Sequence, residues 1–593
     1  MSGYRPPITD IRFTLEHVAG LGRLTSLPEF AHLDSDLLTG ALEEAGRFFA
    51  EVIAPLARDA DRTGSVHEPD GSVTTAPGYR QAYRSMVDAG WVGAAFPEEW
   101  GGGGLPRAVG VGLQEMVMSA DMAFALCPML IYSADALLMA HGTDEQKATW
   151  LPRLVPGDWT ATMVLTEPQA GSDVGALRTR AVPVDDGTWR ITGSKIFITW
   201  GEHDMADNIV HVVLARTPGA PPGTRGISCF IVPKFLLGPD GKPDRRNDVT
   251  CVSLEEKVGI HGSPTCVLSF GDGGEGAVGY LVGEEHQGMR YMFTMMNHAR
   301  LSTGLQGLAL SERSYQQSAA YAQERRQGRP EGERSDDAAI IRHPDVRRML
   351  MTMRSRIEAM RGVMYRNAVA VELAERHPEA KVREREAEIA AILTPISKAW
   401  GTDLGVEMTS LGIQIHGGMG YIEDTGIAQW WRDSRIAPIY EGTNGIQAID
   451  LVARKLPLRG GDAFRELIEE ARAEAKAAPE RLSDVAAQLL YALDAVADTA
   501  DRLQAMERID SLAGATDFLD MVGDTFGGWM LLRGAIAAAT GPDGYPEGFL
   551  EGRIATARFY AERILTGVPC RSAGVLAGGA SVFAIPQEAF PGA

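Results

Sequence analysis

TWRITGSKIFIT, residues 188–199, decides the architecture: it is rich in β-branched and aromatic residues and reads as a strand. NIVHVVLART (208–217), GISCFIVPKF (226–235) and TCVLSF (265–270) follow, separated by Gly, Pro, Asp and Asn turns. No helical period lies between them. Residues 159–275 are therefore expected to form a middle β domain, an antiparallel barrel or sandwich.

Outward from it, the period changes to that of helices. Residues 35–158 form an expected N-terminal helical domain, with apolar residues at three- and four-residue steps in LLTGALEEAGRFFAEVIAPLA and YRQAYRSMVDAGW. The WGGGG run at 100–104 interrupts it as a flexible loop; without G-x-G-x-x-G spacing it is not a phosphate cradle. Residues 276–455 read as a C-terminal helical bundle. Pro344 opens one helix at its first turn, and a second runs from about 383 to 414. The methionines at 349, 351, 353, 360 and 364 read as core rather than as a ligand box. After the linker LPLRGGD (456–462), Asp462 is placed to cap the next helix, and residues 463–593 form an additional helical domain without a second polar constellation. Residues 1–34 precede all this as an N-terminal extension. The fold class is α+β and multidomain.

Composition narrows the function. With 593 residues, the chain is long enough for about four domains. A net charge of -21 argues against nucleic acid, though a local arginine cluster can still serve a phosphorylated ligand. The start, MSGYRPPITDIRF, has no signal-peptide core. MAFALCPMLIYSA (122–134), bounded by Asp121 and Asp135 and broken by Pro128, reads as a buried helix, too short to insert in a membrane. Five scattered cysteines, without C-x-x-C spacing, fit a reducing cytoplasm and no zinc site; His spacing likewise gives no metal.

One carboxylate stands out. In WWRDSRIAPIYEGTNGIQ, Glu441 sits among Ile436, Ala437, Pro438, Ile439, Tyr440 and Gly442. Carboxylates with so little polar company tend to act as proton acceptors. The alternative is a solvated loop glutamate, common in so acidic a chain.

The order helical, β, helical, together with MVLTEPQAGSD (163–173), GSKIFIT (193–199), EEKVGIHGSPTC (255–266), QIHGGMGY (414–421) and IYEGTNGIQ (439–447), resembles the acyl-CoA dehydrogenase family over roughly residues 40–455. YRPPITDIRFTL and the C-terminal extension resemble its long subgroup, which includes bacterial fatty-acyl-CoA and 3-methylmercaptopropionyl-CoA dehydrogenases. The resemblance implies a middle antiparallel β-barrel and an FAD cofactor. Met163, Leu165, Thr166, Gly171 and Ser172 would lie along the flavin, with Ser172 also near the acyl-CoA entrance; an ordinary Gly/Pro turn is the plain alternative. Phe197, Ile198 and Thr199 would form the second wall, Phe197 standing where relatives often carry Trp. Arg325 and Gln327 in YAQERRQGR would grip the flavin diphosphate of a neighbouring subunit, completed by Gln414, Gly417 and Gly418; a basic helix end facing water is the alternative. That arrangement implies an oligomer, with a homodimer favoured. Thr443 and Asn444 would touch the flavin, and Asn297, Arg300 and Gly442 the acyl-CoA. Some relatives carry the catalytic Glu where this chain has Ala299, which leaves Glu441 as the base.

The implied reaction is α,β-dehydrogenation of an acyl-CoA thioester to the trans-2-enoyl-CoA. Glu441 takes the α-proton, flavin N5 takes the β-hydride, and electrons pass to an electron-transfer flavoprotein. The Glu441 backbone N–H and a flavin ribityl hydroxyl would hold the thioester oxygen. Alternatives inside the family are a 3-methylmercaptopropionyl-CoA substrate and an acyl-CoA oxidase. A nucleic-acid-binding flavoprotein would need a basic C-terminal domain, whereas this one carries acidic runs such as RELIEEARAEAK.

Overall fold

Trp189–Thr199 is the hub of an eight-stranded sheet. Ala277–Leu281, Ile227–Pro233 and Ile209–Arg216 follow it in hydrogen-bonded succession, and Arg180–Pro183 pairs with both Trp189–Thr199 and Ile209–Arg216. The ring so closed is a five-stranded barrel, with Thr265–Phe270, Val249–Leu254 and Thr160–Val164 added to its wall. Inside lie Ile191, Val213, Phe230, Val232 and Leu268, each fully or almost fully buried. Such side chains contribute about 1.5–3 kcal/mol apiece.

This computed structural model describes residues 3–332 and 338–591. They divide into two compact units that interleave in sequence: Arg47–Pro106 with Met116–Ser302 form the β-rich unit, and the remaining described residues form a helical one.

In the β-rich unit two pairings are parallel, against the all-antiparallel expectation: Thr160–Val164 with Ile209–Arg216, and Arg180 opposite Arg216. Between Val164 and Ile209 the chain forms the antiparallel pair Arg180–Pro183 and Trp189–Thr199, which acts as the crossover a parallel return requires. Ala277–Leu281 lies in a segment read as helical; five residues, with a glycine before them and another at their centre, carry too short a period to declare a strand. The glycine run at 101–104 is not flexible. Its amides donate to the carbonyls of Pro97, Gly93 and Phe96, and a Cβ on Gly102 would stand 2.2 Å from the Phe96 carbonyl oxygen.

Met122–His141 continues past its expected end at 134 and spans 20 residues, so its length would suffice for a membrane. Pro128 interrupts nothing, and 83% of the apolar window is buried inside the protein. Asp121 caps it by accepting from the Phe124 amide. Asp135 on the same helix is fully buried, and among the described residues neither carboxylate oxygen has a hydrogen-bond donor. Burial pushes its carboxyl well above the ordinary range, so it stays protonated in the folded chain. A raised folded value gives stability that is full below the unfolded value and declines as pH rises. Asp135→Asn removes that loss: against the wild type, its unfolding free energy gains about 1.4 kcal/mol per pH step above about 4. Denaturant midpoints that stay parallel between pH 4 and 7 would contradict this reading.

In the helical unit, Ala380–His416 is the central element, longer than its expected span at both ends. Gly288–Glu324 crosses it so closely that a Cβ on Gly307 would lie 2.1 Å from the Gly401 carbonyl oxygen. Ala515–Thr540 packs on its other side, where Gly523 admits the Trp400 ring. Of the five methionines at 349–364, those at 349, 353, 360 and 364 are buried. Asp462 is the first residue of its helix rather than the cap, and its carboxylate accepts from Arg465 at 2.6 Å. The N-terminal extension is fastened to the C-terminal one: Phe13 meets the rings of Tyr545 and Phe549, and Arg553 donates to Asp10.

Candidate active site

Glu441 occupies the tip of a loop closed by the Asn444 amide donating to the Pro438 carbonyl at 3.0 Å. Its φ is 60°, and that of Gly442 is 80°. A glutamate in the left-handed region is a strained choice that the surroundings must enforce, and such residues cluster at functional sites. Its Oε1 is shielded from solvent. Tyr440 donates its hydroxyl to Gln306 at 2.6 Å. Burial, and beyond it the Glu441 charge, pushes that hydroxyl up, so it remains a donor. On the far side, Thr443 caps Asn444–Asp450 by accepting from the Ile446 amide. The Asn444 side chain is engaged on Ala380–His416: Lys398 and Thr402 donate to its Oδ1, and its Nδ2 donates to the Ala399 carbonyl. Any cofactor contact of Asn444 is thus left to its backbone.

Elsewhere in this unit, Tyr321 stacks on His416 at 4.3 Å and draws two helix ends together. One carries Gln414, Gly417 and Gly418; the other leads to Arg325 and Gln327, which touch each other at 3.5 Å. All five are exposed. Gly417 has φ 60°, and among the described residues no atom lies within 4 Å of a Cβ on either glycine, so a ligand backbone can approach closely. Exposed Met419, Tyr421 and Ile422 continue the same surface.

The β-rich unit brings the other predicted residues together. Met163 lies on Thr160–Val164, and Leu165 and Thr166 just beyond it. The Ile196 amide donates to the Thr166 carbonyl at 2.9 Å, joining this segment to Trp189–Thr199. Pairing there skips a residue between Lys195 and Ile198, and the resulting bulge leaves Phe197 at φ 60° and 57% exposed, while Ile198 is buried. Thr199 pairs with Thr265. Gly171 and Ser172 are exposed on the turn after Glu167. On Gly288–Glu324, Arg300 donates to Asn297 at 3.3 Å; Arg300 is buried, and Ala299 is fully so.

Several residues of this constellation escape a reading of the sequence. Lys195, fully buried, bonds the Leu165 carbonyl at 2.8 Å and pairs with Glu167 at 2.9 Å. Glu167 also accepts from the Thr179 hydroxyl and the amides of Arg178 and Thr179. Together they lock the TEPQAGSD turn onto the strand. A lysine between apolar strand residues in SKIFI is the signal that could have found it. Gln306 and Lys398, which hold the Glu441 loop, leave no such trace in sequence.

A β-barrel unit with an exposed aromatic on a bulge, and a helical unit with an acid on a strained loop, are features of the acyl-CoA dehydrogenase class. The chain belongs to the acyl-CoA dehydrogenase family of oxidoreductases. Residues 40–158, 162–272 and 286–456 match the family's N-terminal, middle and C-terminal domains, and residues 464–586 match the domain described as acetyl-CoA dehydrogenase C-terminal like. The chain is 46% identical over 570 residues to the 3-methylmercaptopropionyl-CoA dehydrogenase of Ruegeria pomeroyi, covering 95% of this chain and 96% of that one. It is 35% identical over 592 residues to the broad-specificity linear acyl-CoA dehydrogenase FadE5 of Mycobacterium tuberculosis, with 95% and 96% covered. Its fold matches the acyl-CoA dehydrogenase of Bacillus anthracis complexed with FAD, with TM-score 0.74, 22% identity, and 92% and 89% of the two chains covered.

Proposed function

We propose that the protein dehydrogenates an acyl-CoA thioester to the trans-2-enoyl-CoA, with FAD as cofactor and Glu441 as the base for the α-proton. The observation that carries this is the strained backbone of Glu441, with one carboxylate oxygen shielded from solvent, within a family that performs this chemistry. The donor set fits FAD. Exposed Phe197, with half-buried Met163 and the hydroxyls of Thr166 and Thr199, offers an aromatic face and polar edge contacts for an isoalloxazine ring, which buried Leu165 and Ile198 would reach only through their backbone. Gly171 and Ser172 sit on an open turn able to receive its phosphates.

When bound, FAD supplies the acceptor for the β-hydride. The protein's part is to hold the proton and the charge. The Glu441 carboxylate accepts the α-proton, and its own amide, with Gly442 beside it, offers a donor to the thioester oxygen, where negative charge develops. Asn297 and Arg300 supply a guanidinium–amide pair for the polar arm of CoA, and Thr443 and Asn444 present loop backbone to the flavin.

Arg325, Gln327, Gln414, Gly417 and Gly418 form an exposed surface suited to a diphosphate, since a planar guanidinium pairs with phosphate oxygens in two places. The adjacent Met419, Tyr421 and Ile422 support reading this surface as a subunit interface in a homodimer that shares its flavin sites. Electrons would then pass to an electron-transfer flavoprotein, within cytoplasmic fatty acid β-oxidation.

The strong similarity to the Ruegeria pomeroyi enzyme favours a second reading of the substrate, 3-methylmercaptopropionyl-CoA in place of a straight-chain thioester. Anaerobic flavin bleaching with butyryl-, octanoyl-, palmitoyl- and 3-methylmercaptopropionyl-CoA separates the two, and ultracentrifugation of the same preparation reads the dimer. At least one thioester is expected to bleach the flavin. A panel in which none does would sink the reading.

A further inference from the structure

The loop that carries Glu441 is held at both ends by one helix crossing. Gly288–Glu324 and Ala380–His416 meet where Gly304 faces the Ser397 carbonyl and Gly307 faces that of Gly401, with no room for a side chain at either glycine. Between those glycines lies Gln306, fully buried, which accepts the Tyr440 hydroxyl at 2.6 Å. On the partner helix, Lys398 lies between Ser397 and Gly401, fully buried, and donates to the Asn444 Oδ1 at 2.7 Å. Thr402, one turn on, exchanges hydrogen bonds with the same carboxamide at 3.0 and 3.3 Å. Residues 440 and 444 are therefore tied to two helices at the point where these cannot slide. Residue 441, at φ 60°, lies between the ties.

A buried lysine is costly to keep, because its charge must leave water. An ordinary packing role would be served better by Met or Leu. The Asp403 carboxylate, which acts on both Lys398 and Asn444, offsets part of that cost, and what the ammonium gives here is a short, charge-assisted bond that fixes Asn444, and with it the turn that aims the base.

We propose that Lys398 is a positioning residue for the dehydrogenation: acting through Asn444, it holds the Glu441 carboxylate at the angle needed to reach the α-hydrogen. The inference rests on Glu441 being the base. A displacement of about 1 Å at a reacting group can cost about a hundredfold in rate, so losing the tie acts on the chemical step rather than on binding.

The test uses full-length, FAD-loaded protein. Lys398→Met is expected to lower kcat about ten- to a hundredfold, with KM for the thioester and flavin content within about threefold of wild type. Lys398→Gln, which keeps an N–H donor for Asn444, is expected to recover most of the rate. Hydrogen exchange of the peptide spanning 436–447 is expected to accelerate in Lys398→Met and to return in Lys398→Gln. Asn444→Ala breaks the tie from its other side and serves should Lys398→Met fail to fold. An unchanged kcat, or a kcat loss matched by loss of flavin, overturns the proposal. Glu441→Gln run alongside separates the two layers. If that variant still bleaches, the base assignment fails and takes the proposal with it; if it is silent while Lys398→Met turns over normally, only the positioning role fails.

Discussion

Glu441→Gln is expected to abolish bleaching of the flavin by acyl-CoA while flavin content and ligand binding stay within about twofold of wild type. Glutamine keeps the size and hydrogen-bonding reach of the side chain, so the loop, its φ of 60° and the Tyr440 and Asn444 ties have no reason to change. It cannot take up a proton at neutral pH. General-base catalysis contributes about two to four decades of rate, and the loop itself holds no second carboxylate: the neighbouring positions are Tyr440, Gly442 and Thr443, position 299 is a fully buried alanine, and the nearby Asp403 is engaged with Asn444 and Lys398. The measurement is the anaerobic fall in flavin absorbance after mixing with a thioester that bleaches the wild type. Near-normal bleaching would remove Glu441 from the reaction and return the strained φ to a structural role.

The candidate site segments stand out in the sequence because they combine rare residue types at short range. IYEGTNGIQ and TEPQAGSD each place an acid among glycines and hydroxyls, the second with a proline as well, and turns of that kind are local. The helices were legible for the same reason: Pro344 and the methionine stripe are local signals. What escaped was long-range. Closure of the barrel depends on Arg180–Pro183, four residues too short for a period, meeting strands on both sides. Lys398 and Asn444 are 46 residues apart, and Phe13 meets Tyr545 across almost the whole chain. No window of sequence holds both members of such pairs. The positive φ of Phe197 and Glu441 is hidden for a related reason: intrinsic preference opposes it, and only the surrounding bonds impose it.

Lys195→Met is expected to destabilise the folded protein by about 3–5 kcal/mol, since it strands the Glu167 carboxylate in a buried site. Glu167→Gln should cost somewhat less, because burial already lowers the Lys195 ammonium to about 8 and it can shed its proton once the carboxylate is gone. The double variant should cost far less than the sum, because two uncharged partners of similar shape leave no buried charge behind. The pH dependence follows from Glu167. Burial alone would raise its carboxyl; the Lys195 ammonium, the Thr179 hydroxyl and the amides of Arg178 and Thr179 outweigh burial and hold it at about 2. A depressed folded value means stability that is present above the unfolded value near 4.5 and lost as pH falls towards about 2. The displacement corresponds to about 3 kcal/mol, in line with the cost of the single substitutions. Chemical unfolding of the four proteins between pH 3 and 7 measures all of this, the wild type alone losing the Glu167 increment as the solution acidifies. Because Lys195 also bonds the Leu165 carbonyl, the singles should loosen the turn at 166–173 and lower flavin retention as well as stability. Additive costs in the double variant would mean that each residue acts through separate contacts, and that the pair does not lock the TEPQAGSD turn to its strand.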